Sequence, residues 1–261
     1  MPLLMENIGR QTSNIYETEE YVQAASLRFN EQWKTGKITP AIDVFVHEIR
    51  KEKIAVLDIG GGTGIILNNI SMYLEKSYKM KVTKFSLDVS DALLDVQKKN
   101  NPDTKIIKND VTNTSLFDKQ IDLSLMLDVL EHVANPRGAL EELRRISKFV
   151  VFCVPLEDAP VPKILNYLRR NSTREAATGT VGHVNFYNAN KLVQTIQKYC
   201  GNILWMRCAN MFKHYRESEL YDTVSAMARI KIRVAQRMCE RSPKLASQLL
   251  GDQIIVLVRC Y

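Results

Sequence analysis

The sequence predicts an α/β fold built on a mostly parallel, doubly wound sheet. Between residues 53 and 154, short apolar runs of β-type residues alternate with stretches of helical periodicity. The first run, residues 53–58, stops at a cluster of glycines, as a buried parallel strand does before a tight turn. Strands that alternate with helices at this spacing form right-handed βαβ units. With 45% hydrophobic and 25% charged residues, the 261-residue chain has the composition of an ordinary globular protein.

The predicted core elements follow one another without a clear linker or internal repeat, so we expect a single domain over residues 1–261. After the glycines, the apolar residues from Ile65 to Leu74 have helical spacing. Ser90 is a suitable cap for a later helix, and Pro136 suits the first turn of another. The further elements expected are strands at 82–89, 105–108, 121–127 and 149–154, helices at 90–100 and 136–147, and apolar runs at 203–206 and 253–258.

The basic residues are concentrated near the C-terminus. The net charge is +7, and residues 205–261 carry ten lysines and arginines against five aspartates and glutamates. A helix predicted over 217–241 places Arg229, Arg233 and Arg237 on one stripe. This stripe is either a solvated face or a contact for an anionic partner, such as an acidic substrate or membrane surface. RNA is the weakest alternative, because no RNA-binding motif or interleaved aromatic residues accompany the arginines.

The remaining composition favours a cytoplasmic protein. The five cysteines are odd in number and form no C-x-x-C pair. No apolar stretch approaches the ~18 residues of a membrane span, so we expect no stable membrane insertion. No cluster of metal-ligating residues is evident from the spacing, and we expect no metal.

The most specific motif is an acidic residue followed by alternating glycines: Asp58, Gly60, Gly62 and Gly64. A dinucleotide fingerprint is excluded because Ile65 stands where its third glycine would be, and a Walker A loop is excluded because no Gly-Lys-Ser/Thr follows. Glycines let a ligand lie against bare peptide, and the next helix offers unpaired N–H groups at its start. The loop therefore predicts a ligand site.

Acidic and amide side chains follow the next two strands. Asp88 lies 24 positions after Gly64, where a carboxylate can accept hydrogen bonds from both hydroxyls of a ribose. Asn109 and Asp110 follow the third strand and can bind an adenine amino group. These positions fall at the carboxyl ends of strands, where open α/β sheets bind ligands. The pattern indicates an adenosine-containing ligand.

With these motifs the sequence resembles the class I S-adenosylmethionine-dependent methyltransferases. VLDIGGGTG at 56–64 matches the first motif of that family, Asp88 its ribose-binding acid, and Asn109-Asp110 its adenine-side motif. MLDVLEHV at 126–133 is similar to the branch that includes ubiquinone and menaquinone biosynthesis enzymes and small-molecule methyltransferases. The resemblance implies a Rossmann-like sheet of seven strands in which the last, antiparallel strand lies beside the fifth. The chain departs from the family in the long segment between its last two strands.

The resemblance also implies the cofactor and the role of each region of the chain. The cofactor is S-adenosyl-L-methionine, and its product is S-adenosyl-L-homocysteine. The divisions are an N-terminal helical lid at 1–52, with helices near 17–34 and 40–51, a cofactor-binding core at 53–155, and substrate-side insertions at 156–187 and 210–252. The expected cofactor-binding residues are Tyr16, Tyr21, Asp58, Gly60, Gly62, Gly64, Asp88, Val89, Asn109, Asp110, Val111, Leu127 and Asp128. Tyr16 and Tyr21 either cover the cofactor or pack their helix on the sheet edge.

Methyl transfer from a sulfonium is an in-line displacement, so alignment and exclusion of water are the main tasks of the protein. A base is needed only if the acceptor must lose a proton. His132 and His183 are the candidate catalytic residues, and a structural role is the alternative for each. We expect a small-molecule acceptor, such as a natural product or quinone-like precursor, methylated on O, N or C. The alternatives are methylation of RNA or protein, and a cofactor-binding regulatory protein without turnover.

Overall fold

A computed structural model describes residues 31–161, 164, 182–218 and 220–261. Its seven strands form one sheet in the order β3-β2-β1-β4-β5-β7-β6. The sheet confirms the strands expected from the apolar runs, to within a few residues at each end. The strands are β1 (Lys53–Ile59), β2 (Lys81–Asp88), β3 (Lys105–Lys108), β4 (Ile121–Leu127), β5 (Ser147–Pro155), β6 (Gly201–Cys208) and β7 (Gln253–Cys260).

Helices cover both faces of the sheet and the segment between β6 and β7. In the described part of the chain they are α1 (Glu31–Ile49), α2 (Ile65–Tyr78), α3 (Asp91–Asn100), α4 (Pro136–Ile146), α5 (Ala189–Tyr199), α6 (Met211–Glu217), α7 (Leu220–Thr223), α8 (Ala226–Arg241) and α9 (Pro243–Leu249). Ser90 caps α3 by accepting a hydrogen bond from the backbone N–H of Leu93, as its sequence position predicts.

The pairing of the strands brings their carboxyl ends to one edge. β1 pairs in parallel with both β2 and β4, with Ile59 opposite Leu87 on one side and opposite Met126 on the other. β2 pairs in parallel with β3, and β4 with β5. β7 is antiparallel to both of its neighbours, β5 and β6, which confirms the antiparallel last strand. The residues that follow β1, β2, β3 and β4 therefore meet at one edge of the sheet.

An apolar layer packs on each face of the sheet. On one face, α4 and α5 bury Leu140, Leu143 and Leu192 against β4, β5 and β7. On the other, Ile42 and Phe45 of α1 pack with α2 against β1 and β4. Burial on both faces explains why β4 is buried at every residue and reads as a continuous apolar run.

The start of the chain differs from the prediction. The helix expected at 40–51 begins by Glu31 and continues through Pro40 to Ile49. A proline inside a helix removes one backbone hydrogen bond, and here Ile38, Ala41 and neighbouring side chains are fully buried against the sheet, which offsets that loss. Residues 31–49 of the predicted lid therefore form a helix that packs on the core. The rest of the predicted lid, and most of the helix expected at 17–34, lie outside the described residues.

The helix predicted in the basic segment near the C-terminus also differs from the structure. The single helix expected over 217–241 is divided into the end of α6, α7 and α8. The division occurs because α6 ends at Ser218, whose N–H and hydroxyl both donate to the Tyr215 carbonyl, and because Ser225 caps a new helix. Met227 and Val234 are 62% and 61% exposed, so their helical spacing does not mark a buried face. Among the described residues, no helix is both long and apolar enough to cross a membrane.

Candidate functional site

The glycine loop leaves bare backbone at the carboxyl edge of the sheet. Gly60 and Gly62 have φ angles of 60° and 57°, in the left-handed region that glycine adopts without strain. A Cβ added to Gly60 would lie 2.8 Å from Cγ2 of Val129, and one added to Gly61 would lie 2.1 Å from Oδ2 of Asp58. At Gly62 the same position has no described atom within 4 Å. Side chains of Val129 and Asp58 therefore pack against the loop at Gly60 and Gly61. At Gly62 the peptide is open, and a ligand can reach it.

Side chains from the end of α3 fasten this loop. Asn100 donates from Nδ2 to the Thr63 carbonyl at 2.9 Å, and Asn101 donates to the Gly64 carbonyl at 3.0 Å. A Cβ on Gly64 would lie 2.8 Å from Nδ2 of Asn101, so packing against Asn101 accounts for glycine at this position. The backbone N–H of Gly60 donates to Leu87 of β2 at 2.9 Å. These bonds tie the loop to α3 and to β2.

Asp58 places a buried carboxyl group beneath the loop. The residue is 2% exposed, and its Oδ2 has no hydrogen-bond partner among the described residues. Burial raises the pKa of Asp58 to about 7, the carboxylate of Asp88 adds to the rise, and the ammonium group of Lys34 opposes it. A buried carboxyl group without a partner is costly, so a cationic or hydrogen-bond-donating ligand would relieve it.

Asp88 is the last residue of β2, and its carboxylate lies near that of Asp58. It is 7% exposed, and Oδ1 accepts a hydrogen bond from the backbone N–H of Ser90 at 3.0 Å. Burial raises the pKa of Asp88, and the N–H groups of Ser90 and Val89 counteract the rise. The side chain of Val89 is 39% exposed. The carboxylate is thus fixed by its own turn at the edge where the strands end.

The turn after β3 joins the same edge. The N–H of Asn109 donates to the Asp88 carbonyl at 3.1 Å. Asn109 accepts from the N–H of Asp110 at 2.9 Å, and Asp110 accepts from both the N–H and the hydroxyl of Thr112, at 2.7 and 2.6 Å. Val111 is buried. The structure therefore brings the predicted residues after β3 next to Asp88, with the exposed Asp110 also serving to shape its turn.

Leu127 and Asp128 lie at the end of β4. Leu127 is 8% exposed. Asp128 has a φ of 56°, accepts a hydrogen bond from Nε2 of Gln253 at 2.9 Å, and forms an ion pair with Lys34. Trp33, Lys34 and Leu127 lie around a narrow gap beside this ion pair. The first turn of α1 thus reaches the site, although the rest of that helix lies in the core.

A second group of polar side chains gathers beyond Asp128. Ligand atoms of Glu131, His132 and His183 all lie within 4.8 Å of one another. The rings of the two histidines are in edge contact, with centroids 4.7 Å apart. Glu131 is 1% exposed, and neither of its carboxylate oxygens has a hydrogen-bond partner in the described part of the chain. Burial, together with the carboxylate of Asp128, raises the pKa of Glu131 well above its usual range.

Backbone hydrogen bonds assemble this group from two distant segments. The N–H groups of Val184 and Asn185 both donate to the Glu131 carbonyl at 2.9 Å. Nδ2 of Asn185 also donates to the carbonyls of Leu130 and Val133, at 3.2 and 2.7 Å. The segment containing His183 is therefore tied directly onto the loop after β4.

The structure adds residues that sequence reasoning did not select. Gly61 lies so close to the carboxyl group of Asp58 that a Cβ at this position would clash with it. Lys34 reaches the site from a helix that was expected to belong to the lid, and it pairs with Asp128. Glu131 stands next to His132 in the sequence, but its burial depends on contacts that the sequence does not mark. Tyr16 and Tyr21 lie outside the described residues.

Comparison with known proteins identifies the family of this arrangement. The sequence model of a family described as a methyltransferase domain matches residues 31–199. The demethylmenaquinone methyltransferase of Paenarthrobacter aurescens (strain TC1) is 34% identical over 111 residues, which are 42% of this chain. The match spans only 39% of that relative's length.

Solved structures share the fold at low sequence identity. One, from the complex between the Haloferax volcanii Trm112 methyltransferase activator and its candidate methyltransferase, has a TM-score of 0.60 at 11% identity and covers 95% of this chain and 97% of its own. Geranyl diphosphate C-methyltransferase from Streptomyces coelicolor A3(2), solved with Mg²⁺, geranyl diphosphate and S-adenosyl-L-homocysteine, has a TM-score of 0.55 at 11% identity. It covers 94% of this chain and 87% of its own.

Proposed function

Because the chain belongs to the class I S-adenosylmethionine-dependent methyltransferases, we propose that it transfers a methyl group from S-adenosyl-L-methionine to a small-molecule acceptor. The observation that carries the proposal is the buried, unpartnered oxygen of Asp58 beneath a loop that is open at Gly62. A ligand bearing both positive charge and an adenosine fits this edge, because the carboxyl groups of Asp58 and Asp88 lie within it.

Each predicted cofactor-binding residue has a role in this proposal. The peptide at Gly60 and Gly62 supports the methionine part, and Asp58 compensates its positive charge directly or through the loop. Asp88 accepts hydrogen bonds from the ribose hydroxyls. The turn at 109–111 contributes amide groups and the Val111 side chain to the adenine. Val89, Leu127 and the backbone of Asp128 complete the walls, and Tyr16 and Tyr21 remain candidate parts of a cover.

When bound, S-adenosyl-L-methionine supplies a methyl group already activated by its sulfonium centre. The chain contributes alignment, because the loop is held in place by Asn100 and Asn101. Alignment of this kind favours an in-line displacement without further covalent chemistry from the protein.

We place the acceptor beyond Asp128, next to His132 and His183. Two roles are open to these histidines: removal of a proton from the acceptor, and ligation of a cation that polarises it. The demethylmenaquinone relative favours a quinone-like acceptor, although the likeness covers less than half of either chain. Lys34 and Lys37 lie near this side, so an acceptor carrying a carboxylate or phosphate would meet positive charge there.

The test is calorimetric titration with S-adenosyl-L-homocysteine. We expect one binding site in the wild-type chain and an affinity at least about 100-fold weaker in Asp88→Ala, because two hydrogen bonds to a carboxylate are lost. Asp95→Ala is the matched control, since Asp95 is an exposed carboxylate on the next helix. Unchanged affinity in Asp88→Ala would refute the ribose assignment.

Turnover is tested separately with radiolabelled S-adenosyl-L-methionine and a panel of quinone-like, amine and carboxylate acceptors. Transfer of label to a small molecule supports the proposal. Binding of the homocysteine product without transfer to any small molecule would instead support the alternatives, which are a macromolecular acceptor or a cofactor-binding protein without turnover.

A further inference from the structure

The side chains of Glu131, His132 and His183 are arranged like metal ligands. Two imidazoles and one carboxylate are the donor set that zinc, manganese and iron(II) bind in proteins. The three ligand atoms lie within 4.8 Å of one another. Ligands bound about 2.1 Å from a tetrahedral ion are ~3.4 Å apart, so side-chain movements of about 1 Å would close the set around an ion.

The environment of Glu131 favours a cation at this place. Its carboxylate is buried, and both oxygens are without a hydrogen-bond partner among the described residues. Such a group is normally either paired or bound to a metal. A divalent ion at this place would give both oxygens a partner.

The partners of the two histidines match those of metal-bound imidazoles. Nδ1 of His132 lies 3.1 Å from the Gly182 carbonyl oxygen, and Nδ1 of His183 lies 2.8 Å from Oε2 of Glu157. In metal sites, a carbonyl or carboxylate commonly accepts from one ring nitrogen, which fixes the tautomer and directs the other nitrogen to the metal. These contacts hold both rings in edge contact beside Glu131.

We propose that Glu131, His132 and His183 bind a divalent transition-metal ion, with Glu157 and the Gly182 carbonyl orienting the two imidazoles. The protein supplies three ligands, so at least one coordination position is left for water or for an oxygen of the acceptor. Placing the ion on the acceptor side rests on the proposed function, because that side is defined by the cofactor edge at Asp58 and Asp88. Metal binding itself does not depend on it.

The probe is Co²⁺, whose visible absorption reports nitrogen and oxygen ligands, added to the chelator-treated 261-residue chain. We expect about one equivalent of Co²⁺ to bind, Zn²⁺ to displace it, and equimolar Mg²⁺ not to, because Mg²⁺ prefers oxygen ligands. Glu131→Gln and His183→Gln should each weaken Co²⁺ binding by at least about tenfold. The chain has four histidines, and His47→Gln, at an exposed position on α1, is the control that should leave binding unchanged.

Two results would overturn the proposal: no stoichiometric Co²⁺ binding by the wild-type chain, or unaltered affinity in a folded Glu131→Gln or His183→Gln variant. Either would favour proton removal as the role of the histidines. Titration of the same samples with S-adenosyl-L-homocysteine separates this outcome from failure of the proposed function. Loss of Co²⁺ binding in a variant that still binds the homocysteine product locates the metal site away from the cofactor edge.

Discussion

The cofactor edge and the acceptor side of this molecule are built in different ways. At the cofactor edge, Asp58, Asp88 and Asn109 each lie within one residue of the end of a strand, and the parallel pairing of those strands brings them together. On the acceptor side, Glu131 and His183 are 52 positions apart, and backbone hydrogen bonds from Val184 and Asn185 join their segments. Local motifs therefore specify one half, while long-range contacts assemble the other. The two halves should respond separately to mutation.

Among the changes that separate the two halves, the largest combined loss of stability and affinity is expected from Gly61→Ala on the cofactor side. A Cβ there would lie 2.1 Å from the buried Oδ2 of Asp58, which has little room to move. We expect a loss of about 2 kcal/mol in the free energy of unfolding, from overpacking, and a fall of at least about 30-fold in affinity for S-adenosyl-L-homocysteine. Urea denaturation and calorimetry measure the two quantities.

Gly36→Ala is the control for this variant. Gly36 lies within α1, and a Cβ there would have no described atom within 4 Å. Alanine favours the helix by about 0.5–1 kcal/mol relative to glycine, so Gly36→Ala should be neutral or stabilising. A Gly61→Ala variant as stable as Gly36→Ala would show that the loop is not closed by Asp58.

Asn185→Ala should affect the acceptor side alone. It removes the donor to the Leu130 and Val133 carbonyls, which costs about 1–2 kcal/mol of stability. Co²⁺ binding should weaken severalfold because His183 is no longer held, whereas affinity for S-adenosyl-L-homocysteine should stay within about twofold. Asn188→Ala is the matched control: Asn188 caps α5, so its loss costs about 1 kcal/mol without releasing His183. Equal Co²⁺ affinity in the two variants would contradict the positioning role of Asn185.

The pH dependence of cofactor binding tests whether the carboxylate of Asp58 favours the positively charged cofactor. Its pKa is raised to about 7 by burial, so the carboxylate form that favours a cation increases between pH 6 and pH 8. Affinity for S-adenosyl-L-methionine should rise by up to about tenfold over this interval in the wild-type chain and stay nearly constant in Asp58→Asn. A parallel rise in both would assign the pH dependence to another group.

The same shift predicts the effect of pH on stability. A carboxyl group with a raised pKa binds its proton more tightly in the folded state, so folding is favoured while the group is protonated. The stability of the wild-type chain relative to Asp58→Asn should therefore fall as pH rises from about 4 to about 7, and then level off. Urea denaturation of both proteins at pH 5 and pH 8 measures the difference.

The smallest effect is expected from the arginine stripe. Nε of Arg233 donates to the Tyr221 hydroxyl at 2.8 Å, and Arg229 donates to the Asp222 carbonyl at 2.7 Å. Two of the three arginines thus have partners within their own segment. Arg233→Ala should cost less than about 1 kcal/mol of stability, and Arg237→Ala, at an exposed position, should cost less. Neither should change affinity for S-adenosyl-L-homocysteine; a clear loss in Arg237→Ala would connect the stripe to the site.

The contrast between the two halves also explains what the sequence could predict. Strand ends, the glycine loop and Asp88 follow from periodicity and spacing, because each signal lies within a few residues of the feature it marks. The sequence predicts a helix that begins at Pro40, whereas α1 continues through it, because the burial of Ile38 and Ala41, which offsets an internal proline, depends on the sheet. The gathering of Glu131 with His183 depends on backbone contacts between distant segments, which no local pattern encodes.

A crystal structure of the chain with S-adenosyl-L-homocysteine tests the central claim most directly. The account predicts that the ribose hydroxyls lie within hydrogen-bonding distance of the Asp88 carboxylate, that the homocysteine part lies over the open peptide at Gly62, and that Glu131 and His183 stand on the far side of the sulfur. A ligand bound elsewhere, or one that leaves Asp88 without a contact to the ribose, would contradict it.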